Sequence, residues 1–481
     1  HGRPRLVSLS FPFPIIVAES CIRFCLEPTN CRSEGDEEES HTQSRPSSRT
    51  MTKPGFNRLL DDLARRQLLL DFQFGEASEQ YSALRNIGAG AFGVVCEAEE
   101  TTDQTRVAIK KIGHASATPT LARRTLREIR VLRHIRHENI IRLRDIFRTP
   151  GTLGINVYLV MDLMEGSLHH VIHGSVDSIE DDLVAHFLYQ VIRGLRYLHT
   201  AGIAHRDLKP SNLLVNSDCH LRIADFGMAK LAMRNEIDEL EEHCFYMTQH
   251  VATLPYRAPE LLFVMPEHST AVDMWAVGCI LAEMILSREL FPGRSVSGQI
   301  KIVCNMLGTP SHKILSSIRC DRTRRLIEGY GVLEQRPWSE ICAPPDREVS
   351  ECALDLLSSL CKLDAEERLS VDQAIDHPFI KLYHPHKSSE RACPFKVKMD
   401  MAAVENLSHA ELTEALMADV RSAEREEGVP EFENCSSSMT SDGMKDSATT
   451  TTASVSTSSG NSSGDANYSL NSTPSSKDDT L

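Results

Sequence analysis

The stretch His205-Arg206-Asp207-Leu208-Lys209-Pro210-Ser211-Asn212 brings a carboxylate, a cation and a carboxamide close together in the chain. Asp207 can accept a proton from a substrate hydroxyl, Lys209 can neutralise charge on a transferring phosphoryl group, and Asn212 offers an oxygen to a divalent cation. Asp225-Phe226-Gly227 follows thirteen residues after Asn212 and supplies a second, anionic metal ligand, with an apolar anchor and a hinge beside it. Ala258-Pro259-Glu260 comes next, and Arg368 is available further on. Any one of these residues occurs often by chance. All of them in this order, behind a glycine loop and a lysine in an apolar strand, do not.

The loop is spelled by Gly88, Ala89, Gly90, Ala91, Phe92, Gly93, Val94 and Val95, in the form G-x-G-x-x-G-x-V. Alone it is weak, because dinucleotide sites use the same glycine spacing and an ordinary hairpin can carry glycine turns. A dinucleotide fold would start a helix directly after the glycines, whereas here Val94 and Val95 continue a strand. A flap whose backbone amides cover phosphates fits better. Val107-Ala-Ile-Lys110 then sets a lysine in an apolar strand, where it needs a partner. A phosphate and the carboxylate of Glu128 would meet that need, although Glu128 also reads as part of a solvated helix face.

Phosphoryl transfer spreads charge over equatorial oxygens, so positioning and cations matter most. On this reading Lys110, oriented by Glu128, holds the α- and β-phosphates of ATP. Asp225 and Asn212 hold Mg²⁺, and Asp207 orients the acceptor hydroxyl. Ile87, Val95, Ala108 and Leu214 are the apolar walls for adenine. Backbone groups from Asp162 to Met164 read its edge, and Met161 limits the depth behind it.

These groups need a scaffold, and the hydropathy pattern supplies one. Short β-branched runs at Tyr81–Ile87, Gly93–Cys96 and Arg106–Ile112 read as strands, with Val157–Met161 as a further buried strand. Leu126, Ile129, Leu132 and Ile135 recur at helical spacing within 121–136. Beyond Leu168 helical patterns dominate, as at Asp182–His199 and Asp273–Leu286. Ser408-His-Ala-Glu411 is a capping box that opens a helix through about Arg425. A small β-rich lobe therefore precedes a larger helical one, an α+β arrangement, and no internal repeat interrupts it.

The chain has 481 residues, 41% hydrophobic and 25% charged, with a formal net charge of −15. That charge argues against a dedicated nucleic-acid binder, even with arginines clustered from Arg123 to Arg148. The most apolar helix, Ala276–Leu286, is broken by Glu283, so no membrane insertion is expected. Fourteen cysteines are scattered without a Cys-x-x-Cys pair, which fits reduced thiols in the cytoplasm and nucleus. Residues 1–76 read as a largely disordered leader; its apolar patch is interrupted by Pro12 and Pro14 and lacks a clear cleavage site. Met51 is read as a natural start, with the earlier residues as vector-derived or upstream translation. From residue 431 onward Ser and Thr prevail and no core can form.

Over roughly residues 77–395 the sequence resembles eukaryotic protein kinases, most of all the mitogen-activated protein (MAP) kinases. Within them it most resembles the branch of the extracellular-signal-regulated and big MAP kinases. Besides the motifs above, the resemblance rests on Arg124-Thr-Leu-Arg-Glu-Ile129, His137-Glu-Asn-Ile-Ile141, Met161-Asp-Leu-Met-Glu165, Val251-Ala-Thr253, Tyr256-Arg-Ala-Pro-Glu260 and Asp273-Met-Trp-Ala-Val-Gly-Cys-Ile280. It implies a bilobal kinase fold: an N-lobe at 77–164, a C-lobe at 165–395 with an extra helical insert after Leu290-Phe-Pro-Gly293, and a C-terminal extension at 396–430 packing on the N-lobe. It further implies ATP- and Mg²⁺-dependent phosphorylation of Ser/Thr before Pro in protein substrates. An upstream dual-specificity MAP kinase kinase would activate the enzyme, and Thr253 and Arg257 would lie at the substrate position after the acceptor.

The chain departs from that family in two places. The activating Thr-x-Tyr pair is Thr248-Gln249-His250 here, and the Arg-Trp before Tyr256 is Leu254-Pro255. The resemblance makes the missing arginine a phosphotyrosine partner, so both changes point the same way. Phosphothreonine partners persist in Arg127, Arg206 and Lys230. Phosphate at Thr248 would add about −1.5 to −2 charges and tie three segments together; the competing reading makes Thr248 an ordinary loop residue. After His377-Pro-Phe379 an acidic docking patch is replaced by Tyr383-His-Pro-His-Lys-Ser-Ser-Glu390, with a single acid, which weakens the case for a basic docking peptide. Thr473-Pro474 is a candidate autophosphorylation site. The alternative for the whole chain is a pseudokinase scaffold in MAP kinase signalling. A P-loop nucleotide enzyme lacks its phosphate word here.

Overall fold

The computed structural model describes residues 72, 74–90, 93–174, 178–231, 251–266, 268–344, 347–385, 404 and 406–425. The leader before residue 72, Ala91, Phe92, Thr248, His386 to Glu390 and the tail with Thr473 lie outside them.

Strands β1 (Tyr81–Gly90), β2 (Gly93–Glu100), β3 (Arg106–Ile112), β4 (Leu143–Gly151) and β5 (Gly154–Asp162) form an antiparallel sheet in the order β1-β2-β3-β5-β4. Alternation sorts their side chains into two faces. Cys96, Ala98, Val107, Ile109, Tyr158 and Val160 gather under Phe74, Tyr81 and Phe147 as a small core of their own. The opposite face therefore carries Val95, Ala108 and Lys110, with Leu159 opposite Lys110 and Met161 opposite Ala108. Gly93 is required by close approach, since a Cβ there would sit 2.4 Å from the Lys111 carbonyl oxygen.

Helix α1 (Pro119–His134) crosses behind that face. It starts two residues before the apolar period predicts, because the Thr118 side chain accepts a bond from the Leu121 amide and Pro119 suits the first helical position. Short strands β6 (Gly166–Ser167) to β10 (Lys230–Leu231) then alternate with helices α2 (Leu168–Gly174) and α3 (Asp181–Thr200). Lys230 of β10 pairs with Ala204 of β7 (Ile203–Ala204). Helix α4 (Ala271–Leu286) is buried along nearly its whole length and forms the centre of the helical lobe. A helical wall including α5 (Glu351–Leu360) packs around it.

Helix α6 (His409–Arg425) folds back onto α1 and β4. Leu412, Leu416 and Val420 are fully buried at four-residue intervals, and Arg130 pairs with Asp419 at 2.8 Å. At its start the Ser408 amide donates to Glu411 at 2.8 Å.

Candidate active site

Lys110 projects from β3 and α1 brings Glu128 to meet it. Their Nζ and Oε1 atoms are 2.6 Å apart, with Glu128 only 2% exposed, so this face of α1 is not solvated. Lys110 also reaches Asp225 of the helical lobe at 3.3 Å, so one ammonium joins the sheet, α1 and the loop after β9 (Leu221–Ile223). Burial works against the lysine's charge, but Asp225 and Glu128 outweigh it and raise its pKa.

The sequence did not single out Arg124. Its guanidinium lies 3.2 Å from both Asp225 carboxylate oxygens, and it is nearly buried. A Cβ on Gly227 would meet the same side chain at 2.4 Å, so that glycine makes room for the arginine. Burial opposes the Asp225 charge as well, yet Lys110, Arg124 and Lys209 hold the carboxyl well below the usual carboxylate range. Asp225 sits at φ 63°, in the left-handed region, a strain typical of functional backbone.

The segment His205–Asn212 is ordered from below by Asp273 of α4. Its two oxygens accept the backbone amides of His205 and Arg206 at 2.8 Å each, and His199 bonds it at 2.9 Å. These bonds hold Arg206 at φ 68°. The His205 ring nitrogen Nε2 meets the Ala224 carbonyl at 3.0 Å, and the ring packs edge-on against Phe226 at 5.0 Å between centroids. Asp207, 4% exposed, accepts from Lys209 Nζ at 3.0 Å and from Asn212 Nδ2 at 3.2 Å. The same Asn212 nitrogen donates to the Asp207 carbonyl at 2.7 Å. Its amide oxygen is then the atom left to face a cation beside Asp225, a hard oxygen pair that suits Mg²⁺.

Lys209 Nζ also reaches the Thr253 hydroxyl at 3.3 Å, which joins the catalytic loop to the segment Val251–Tyr256. Arg257 is buried close by; burial lowers its pKa, and Asp207 offsets that only in part. Ile87, Val95, Met161, Met164 and Leu214 are all partly buried, and Ala108 is 7% exposed. Gly88 pairs with Val95, Ala89 with Val94 and Gly90 with Gly93, so the loop strands close over that apolar strip. The Asp162 carboxylate is taken by Arg144 and Arg222, which leaves only its backbone for a base. The chain leaves the sheet at Leu163 and Met164. Of the residues read as phosphothreonine partners, Arg127 is fully buried on α1 and Lys230 is buried on β10; the Arg206 Nε is buried without a hydrogen-bond partner among the described residues.

A lysine paired with Glu128 and Asp225, and an aspartate paired with Lys209 and bonded by Asn212, lie between a sheet and a helical lobe, the arrangement that a phosphoryl-transfer enzyme needs. The protein kinase domain family matches residues 81–380. The mitogen-activated protein kinase sma-5 of Caenorhabditis elegans is 54% identical over 417 residues, covering 83% of this chain and 81% of that protein. Mitogen-activated protein kinase 6 of Oryza sativa subsp. japonica is 41% identical, covering 68% and 84%. The extracellular signal-regulated kinase 1 of Candida albicans (strain WO-1) is 40% identical, covering 64% and 75%. The chain belongs to the eukaryotic protein kinases and, among them, to the MAP kinase family, and it is a serine/threonine kinase.

Proposed function

We propose that the chain transfers the γ-phosphate of ATP to serine or threonine followed by proline, and that phosphorylation of Thr248 alone switches it on. The observation that carries the first part is Lys209, whose ammonium touches both Asp207 and Thr253. A hydroxyl seated against Asp207 is thereby placed beside the segment on which a peptide would lie. Asp207 orients that hydroxyl and takes up its proton, and Lys209 lies where charge develops on the transferring group. Mg²⁺ held by Asp225 and Asn212 would neutralise phosphate charge when bound. Positioning by Lys110 and Glu128 completes the arrangement.

The second part is supported by the cations that stand beside the catalytic segment. Arg206 precedes Asp207 directly, and Lys230 is tied to Ala204 two residues before Arg206. A phosphate there would order the segment leading to Thr253. An upstream MAP kinase kinase would supply it, and the protein substrates would carry Ser/Thr-Pro sites. The eight described cysteines are all free thiols, which supports a cytoplasmic and nuclear location.

Incubation with Mg-ATP and paired Ser-Pro and Ser-Ala peptides tests the reading. The wild type phosphorylates the Ser-Pro peptide at least about tenfold faster, and Asp225→Ala abolishes turnover. Thr248→Ala stays at basal rate after treatment with an upstream kinase, whereas His250→Ala is still activated. Equal activity of Thr248→Ala and the activated wild type overturns the switch. Equal rates on the two peptides overturn the proline preference.

A further inference from the structure

The helical lobe holds a second polar cluster that phosphoryl transfer does not use. His169 and His173 lie four residues apart on α2, so their rings share one helix face. Glu283 reaches the same point from α4. His173 Nε2 is 2.9 Å from Glu283 Oε1, and the two imidazole rings are 4.4 Å apart between centroids. Ligand atoms of all three residues lie within 4.8 Å of one another. The third histidine of the helix, His170, turns instead to the Ser167 hydroxyl at 2.9 Å.

Glu283 is the member that calls for an explanation. It is 1% exposed, and among the described residues no lysine or arginine reaches its carboxylate. The Tyr256 hydroxyl donates to Oε2 at 2.6 Å and His173 meets Oε1, but a phenol brings no compensating charge and neither partner is a permanent cation. A buried carboxylate without a cation is costly. On its open side stand two exposed imidazoles, the commonest ligands of borderline divalent ions. Two histidines one helical turn apart and a carboxylate from another helix make a His₂Glu donor set, which leaves a fourth position for water. Tyr256 serves as the outer partner that fixes the ligating carboxylate.

We infer that His169, His173 and Glu283 form a binding site for a transition-metal dication, with Zn²⁺ as the best match. Tetrahedral bonds of about 2.0–2.2 Å place ligand atoms roughly 3.3 Å apart. The exposed rings can rotate to close that gap while Glu283 stays in place. Nitrogen donors disfavour Mg²⁺, so this site and the Asp225–Asn212 pair select different ions. A bound ion braces α2 against α4 and acts one hydrogen bond away from Tyr256.

The inference is independent of the kinase reaction and is tested by metal uptake. The metal-free full chain is titrated with Zn²⁺ against a chromophoric chelator, and with Co²⁺ while visible absorption is recorded. His169→Ala/His173→Ala, at exposed positions, serves as the comparison, and its melting temperature without metal checks that it folds. The wild type takes up one more Zn²⁺ than the variant, shows tetrahedral Co²⁺ bands that the variant lacks, and keeps both in excess Mg²⁺. Equal uptake with equal affinity in the two proteins overturns the site, as does loss of the extra ion to Mg²⁺.

Discussion

Asp273 shows how one buried side chain sets the geometry of residues it precedes in space but follows in sequence. Its oxygens fix two successive backbone amides before Asp207, which is why Arg206 tolerates a left-handed backbone. Burial pushes its pKa up, but His199, His205 and the Arg206 amide outweigh that and hold it below the ordinary value. A carboxyl depressed in this way stabilises the fold fully above its unfolded pKa of about 3.9, and the contribution is lost as pH falls through the folded value. Asp273→Asn therefore lowers unfolding free energy by about 1.5–3 kcal/mol at pH 7. Its stability then declines less steeply than that of the wild type below about pH 4, as urea unfolding across that range measures. The four residues Lys110, Asp207, Asn212 and Asp225 were legible from their motifs. Arg124 was not, because an arginine in a basic helix stretch carries no mark of the carboxylate it meets across the cleft.

At the scale of elements, α1 is held from both sides. On the site side Glu128 and Arg124 meet Lys110 and Asp225; on the other α6 supplies Leu412, Leu416 and Val420. The energy of that second contact is apolar. Leu416→Ala is expected to cost about 2–5 kcal/mol in chemical denaturation, by lost transfer energy and the cavity left behind. Asp419→Ala, which removes the partly exposed partner of Arg130, costs at most about 1 kcal/mol. A larger effect at Asp419 than at Leu416 would reverse this account. The helical period and the Ser408–Glu411 cap made α6 readable as a helix. That it packs on the N-lobe was expected from family resemblance alone, and α1 as its partner was not foreseen, since amphipathicity shows that a face is buried without showing against what.

Across the whole molecule the helical lobe depends on a buried ion pair far apart in sequence. Arg368 forks onto both Glu260 oxygens at 2.7 and 2.6 Å, and its guanidinium lies over the Trp275 ring at 5.2 Å from the centroid. The pair ties the segment after Tyr256 to α4 and the wall beyond it. Glu260→Gln leaves a buried guanidinium short of its counter-charge, and we expect a loss of about 3–5 kcal/mol in unfolding free energy. A loss under about 1 kcal/mol would mean that solvent compensates the arginine.

The order of motifs, the strand and helix periods and the charge balance were set by the chain alone, because each depends on residue type and local spacing. They sufficed for the two-lobed architecture and for singling out Lys110, Glu128, Asp207, Asn212 and Asp225, which the fold brings to one cleft. Which side chains meet across the lobes was decided only on folding: Arg124 on Asp225, Asp273 under the catalytic loop, and Glu283 beneath two histidines. Those contacts join residues 101, 67 and 110 positions apart. Local periodicity has no means of encoding such pairings, whereas packing sets them through the cost of leaving a buried charge without a partner.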